Sequence, residues 1–278
     1  MPKIITTTAL PSTMVPSPMK VLLLLLARPS LAVSPGKVHL IDTYPRNQPH
    51  NYLFRGNNPV VDGTFNFTAL VNVMRQKAAA ECGVALPEAF RFVDLSLENP
   101  TDPGYFQEKA FWDANPRAGE LDSYPTLGSL QDVKHPVGDA DELVKSGDWA
   151  IQGHADYLPE RLAAVHASLT NTSGPPTIFY AHCNAGCDRT GEFFGAYAMS
   201  YLGYNVTTAM GEACKQCGRC PNYYATNSIG WWCLTLEAQG RTDVGPCLDF
   251  ASCKPLGDCT AHNATPLEDD CPRLGLGV

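Results

Sequence analysis

Basic residues are scarce in this chain: 20 Lys and Arg stand against 28 Asp and Glu in 278 residues, a formal charge of −8. Nucleic acids and anionic membranes attract basic surfaces, so neither is expected as a main partner. Long apolar runs are also missing. Val21 to Ala27 covers seven residues, where a bilayer-spanning helix needs about 20, so no membrane span is expected. No internal repeat is visible, which excludes solenoids and propellers. Cysteine is almost absent before residue 183, where Cys82 stands alone.

The remaining ten of the 11 cysteines lie between Cys183 and Cys271. Four sequons accompany them, at Asn66, Asn171, Asn205 and Asn263, and each is a potential glycosylation acceptor. Lys20, the apolar run Val21 to Ala27 and the small-residue site Ser30-Leu31-Ala32 follow the plan of a secretory signal peptide over residues 1–32. Together these features point to an oxidising compartment and a secreted protein. At 44% apolar content the chain can bury one sizeable core. That core is expected over residues 33–240. Residues 241–278 carry Cys247, Cys253, Cys259 and Cys271 with almost no apolar stretch, and read as a disulfide-stapled C-terminal extension.

Residues 182–191 read His-Cys-Asn-Ala-Gly-Cys-Asp-Arg-Thr-Gly. An apolar run, Thr177 to Ala181, precedes them, and a helix-like run, Glu192 to Met199, follows. A buried strand would therefore feed a tight loop that opens a helix. Inward-facing backbone N–H groups and a helix N-terminus together cradle a phosphate-sized dianion, and Arg189 adds a planar fork for two of its oxygens. Cys183 lies in the same positive field, which favours the thiolate, the nucleophilic form of the side chain.

The segment resembles the signature loop of the cysteine-based protein tyrosine and dual-specificity phosphatases: His-Cys, five residues, Arg, Ser or Thr, Gly. The resemblance implies an α/β fold with a central, mixed, mainly parallel sheet flanked by helices. It implies a phosphomonoester hydrolase acting through a phosphocysteine on phosphotyrosine proteins, with phosphoserine or phosphothreonine as further substrates. No cofactor or metal is implied. Cys183 is the expected nucleophile, and Arg189 the binder of phosphate and transition state. Asn184, Ala185, Gly186, Cys187, Asp188 and Gly191 complete the substrate-binding loop, with Gly186 and Gly191 allowing close backbone approach. Thr190 is expected to hydrogen-bond the sulfur, and His182 to hold the loop backbone. Asp188 is expected to point away from phosphate and orient the loop.

A general acid must protonate the departing oxygen. Asp156, followed by Leu158-Pro159 and a helix start, is preferred over Asp148, which sits beside Trp149. Cys187, four residues beyond the nucleophile, could form a protective disulfide with it or be a small buried residue. Cys214, Cys217 and Cys220 also have a spacing that suits part of a metal site, although the inferred compartment favours disulfides. Two other functions fit the loop: a phosphoinositide or inositol phosphate phosphatase, disfavoured by the absence of lysine within the loop, and a secreted phosphate-binding pseudophosphatase. Strands are expected over residues 37–41, 51–55 and 90–95, and helices over 65–80, 158–169, 207–214 and 228–238. Residues 99–153, dense in Pro, Gly and Asp, read as irregular substrate-side loops.

Overall fold

The computed structural model describes residues 33–126 and 157–251. Strand β1 (His39–Tyr44) turns back into β2 (Asn51–Asn57), and a short hairpin follows, β3 (Val60–Val61) and β4 (Thr64–Phe65). Its turn is Asp62-Gly63, both at positive φ (48° and 74°), the pairing that a tight two-residue hairpin favours. Helix α1 (Phe67–Cys82) begins where the Asn66 side chain accepts from Ala69 N, and ends at Gly83 in the left-handed region. Then come β5 (Arg91–Ser96), α2 (Tyr105–Ala114) and β6 (Gly119–Ser123). Beyond the gap lie α3 (Leu158–Thr170), β7 (Thr177–Cys183), α4 (Arg189–Tyr197), α5 (Val206–Cys217), α6 (Tyr223–Ala238) and the single turn α7 (Leu248–Ala251). Residues Ala198–Leu202 prolong α4 as a wider π turn.

Five strands form one sheet in the order β1-β2-β7-β5-β6. Only β1 runs antiparallel to its neighbour; β2, β7, β5 and β6 are parallel. The sheet is thus mixed and mainly parallel, as expected. Strand β7 lies at its centre and is buried at all seven positions. A parallel strand covered on both faces reads as a continuous apolar run, which is why Thr177 to Ala181 stood out in the sequence.

Alternation splits the core into two layers. Leu53, Val93, Leu95, Phe179, Ala181 and Cys183 face α3, α4, α5 and α6. Tyr52, Phe54, Phe92, Ile178 and Tyr180 face α1 and Trp112 of α2. The extension is not separate at its start. Val244, Cys247 and Phe250 are buried in the first of these layers, and Cys247 is disulfide-bonded to Cys233 of α6.

Two expectations need correction. The stretch 99–153 is not wholly irregular, since α2 and β6 lie within it. The helices expected at 207–214 and 228–238 also extend further, to Val206–Cys217 and Tyr223–Ala238. The leader over 1–32, Cys253, Cys259, Cys271 and Asn263 fall outside the described residues. Of the other sequons, Asn66 and Asn171 are exposed and Asn205 is half-buried. Asn66 and Asn205 cap α1 and α5 through their oxygen, not through the nitrogen a glycan would take.

Candidate active site

The carboxyl ends of β2, β7 and β5 converge, and open α/β sheets bind ligands at that edge. Cys183 ends β7, residues 184–188 form a loop, and Arg189 opens α4. Cys183 is 3% exposed and is a free thiol. Asn57 stands beside it in the sheet register on one side, and Ser96 stands beside His182 on the other.

The loop is anchored at almost every residue. Asn58 N donates to Cys183 O at 2.9 Å and to Asn184 O at 3.3 Å. Lys37 Nζ donates to Ala185 O at 2.9 Å. Buried Arg55 of β2 donates from Nη2 to Gly186 O at 2.8 Å, with its guanidinium over the Phe194 ring. Burial lowers the Arg55 pKa to about 10, opposed by Cys183 and Glu212, so it stays charged at neutral pH. Asp188 binds Arg219 through both oxygens (2.8 and 2.7 Å) and accepts from Asn222 N at 2.8 Å. These contacts outweigh burial and hold its carboxyl below the usual range. Asp188 thus ties the loop to the segment that joins α5 and α6.

Gly186 sits at φ +71°, and an added Cβ would come within 2.6 Å of Gly56 O. Only glycine fits where the loop crosses β2. Gly191 answers to different neighbours: its Cβ would meet Pro221 at 2.9 Å, so it admits the chain entering α6. Thr190 is buried, and its hydroxyl donates to Gly56 O at 3.5 Å.

Arg189 donates from Nη1 to Leu97 O at 3.1 Å and to the Asp102 carboxylate. Burial alone would weaken its charge, but Asp102 and Cys183 more than compensate. Glu98, next to Leu97, is fully buried, and among the described residues neither of its oxygens has a hydrogen-bond partner. Burial raises its pKa against the opposing influence of His182 and Arg189.

His182 lies in a fully buried ionic cluster. Its Nε2 donates to Glu108 Oε1 at 3.1 Å and stands 2.9 Å from Asp94 Oδ1. Trp112 Nε1 donates to Asp94 Oδ2 at 2.7 Å, and Ser96 Oγ to Glu108 Oε2 at 3.2 Å. Burial disfavours charge on His182, yet Glu108 and Asp94 overcome it and hold the imidazolium proton well above the ordinary histidine range. Burial and Asp94 push Glu108 up to about 7. The three groups offer ligand atoms within 4.8 Å of one another, as many as a catalytic zinc site draws from protein. An imidazolium between two carboxylates accounts for the same arrangement without an ion.

This cluster predicts both a stability and a pH effect. His182→Leu strands two acids in the interior, at an expected cost of about 3–5 kcal/mol in denaturant unfolding. The contribution of His182 is complete below the unfolded histidine value and is lost as pH rises through its raised folded value. Glu108 works in the same direction. Unfolded, it ionises from 4.5, while folded it keeps its proton up to about 7, so stability falls across that interval. Wild-type stability should therefore be greatest in mild acid and fall as pH rises.

Cys187 pairs with Cys217, and Cys214 with Cys220. The Cys183–Cys187 bridge is therefore not formed, and the cysteines read as possible metal ligands are spent in disulfides. Asp156 and Asp148 lie outside the described residues. Sequence reasoning missed Arg55, Lys37, Asn58, Asp102 and the acids around His182. Each reaches the loop from an element more than 70 residues away in sequence, and no local spacing marks it. Among the described residues, no helix is long and apolar enough to cross a membrane. No protein-family model and no curated protein matches the chain.

Proposed function

We propose that this protein is a phosphomonoester hydrolase that works through a phosphocysteine at Cys183, most naturally on phosphotyrosine proteins. The observation that carries this is a free, buried thiol at the end of the central strand, followed by an anchored loop and an arginine at the start of a helix. The chemistry follows from the residues. Loop N–H groups and Arg189 hold the three non-bridging phosphate oxygens, and the Cys183 thiolate attacks phosphorus in line with the departing oxygen. The S–P bond forms as the P–O bond breaks. Water then attacks phosphorus, the S–P bond breaks, and inorganic phosphate leaves. Anchoring the loop in advance is worth more than adding donors, because groups already aimed at the transition state need no reorganisation.

The incoming phosphate must compete with Asp102 for the guanidinium. Arg55, Lys37 and Arg219 keep positive charge around the loop although the chain as a whole is acidic. The three disulfides that join described residues fit the oxidising compartment inferred from the leader and sequons.

Turnover of para-nitrophenyl phosphate by purified protein, in EDTA with a mild reductant, tests this directly. Activity that is lost in EDTA would overturn it. Asp156 is the proposed acid. Asp156→Ala is expected to slow hydrolysis of alkyl phosphates by about 100- to 10,000-fold while sparing esters with good leaving groups. Equal losses on both would point to a different donor.

A further inference from the structure

The chain holds 11 cysteines, an odd number, so at least one thiol stays outside any closed set of intrachain disulfides. Among the described residues that thiol is Cys183. Cys187, Cys214, Cys217, Cys220, Cys233 and Cys247 pair with one another. Cys82 is the remaining described cysteine. It is held in a disulfide, yet none of those three bridges includes it. Its partner therefore lies beyond the described residues, where the sequence offers Cys253, Cys259 and Cys271 and no other cysteine.

The placement of Cys82 gives this bridge its meaning. It ends α1 and packs, half-buried, against the layer that holds Tyr52, Phe54 and Trp112. The chain enters its C-terminal segment from the other layer. Val244, Cys247 and Phe250 are buried there, and Cys247 is bonded to Cys233 of α6. A bridge from that segment to α1 ties one face of the sheet to the other.

We infer that the C-terminal segment, residues 252–278, is fastened to the end of α1 by a disulfide between Cys82 and one of its three cysteines, and that its other two cysteines pair with each other. Each bridge forms as two thiols give up two protons and two electrons to a disulfide oxidant of the oxidising compartment, which is itself reduced to two thiols. Every cysteine except Cys183 is then spent. That closure matters, because a thiolate attacks a disulfide sulfur and frees another thiol, and any leftover cysteine would be a resident partner for such exchange. The stretch that reads in sequence as an extension stapled within itself is stapled instead to the core. The inference stands apart from the hydrolase reading.

The test is disulfide mapping of the full-length protein secreted from eukaryotic cells. The protein is unfolded in iodoacetamide without reductant, deglycosylated, and cut with trypsin and an Asp-specific endoproteinase. This isolates Cys82 in residues 78–91 and separates Cys253, Cys259 and Cys271 into residues 249–257, 258–268 and 270–273. Mass spectrometry is expected to find the first peptide joined to one of the other three, and the remaining two joined to each other. The alkyl label should fall on Cys183 alone, so that denatured wild type counts a single thiol per chain and Cys183→Ser none. Non-reducing electrophoresis should show a monomer. A labelled Cys82, a bridge from Cys82 to any cysteine between 183 and 247, or a covalent dimer through Cys82 would each overturn the inference. Mapping reads no turnover, so its failure and that of the hydrolase reading are told apart.

Discussion

Cys183→Ser is expected to abolish phosphomonoester turnover, lowering kcat by about 10,000- to 1,000,000-fold, the range seen when a covalent nucleophile is removed. The exchange is nearly isosteric, and the residue is buried at the end of β7, so the fold should persist with an unchanged unfolding transition. Serine fails because its hydroxyl is a far weaker nucleophile than a cysteine sulfur. His182 cannot serve as a base for it: its ring lies on the α2 side of the sheet, where its Nε2 is committed to Glu108 and Asp94. Rapid quench with a radiolabelled substrate should trap a phosphoenzyme in wild type and none in the variant. Activity that survives the substitution would exclude a phosphocysteine.

Arg189→Ala is expected to cost about 1,000- to 100,000-fold in kcat, the worth of an arginine that gathers charge at a transferring phosphoryl group. Lysine should recover little of this, because its point charge cannot span two oxygens as the guanidinium fork does. Stability should change far less than activity. Arg189 pairs with Asp102 at a partly buried edge, where side-chain exposures are 18% and 22%, and the carboxylate left behind keeps some access to water. A loss seen only in KM would mean that Arg189 binds the ground state alone, contrary to its assigned role at the transition state.

The strand, loop and helix around Cys183 were legible because each carries its own local signal: a fully buried run, glycines at a crossing, and an apolar helix face. Helix α2 carries the opposite signal. Its buried positions are Glu108 and Trp112, while Phe106 is 68% exposed, so its pattern of apolar and polar residues is inverted. An acid pointing inward makes sense only once His182, 74 residues away, is known to wait for it. Strand β6 is a five-residue edge with one buried position, too short and too exposed to alternate clearly. The disulfides were foreseeable in kind but not in partner. Cys187 chooses Cys217, 30 residues on, because α5 folds back over the loop. Asp102 and Arg189 meet across 87 residues, and nothing in either neighbourhood announces the other.

The bridge between Cys187 and Cys217 has one more consequence. It places an oxidised sulfur four residues from the one that the proposed chemistry needs reduced, so the same solvent that welds the loop would threaten that thiol. Thiol exchange needs an approach path to the sulfur, and at 3% exposure Cys183 offers almost none to a bulky oxidant or to a foreign thiol. On the proposed reading, small peroxides would be the chief hazard to Cys183, and strong dithiol reductants, which would unpick the weld before they helped that thiol, the chief hazard on the bench.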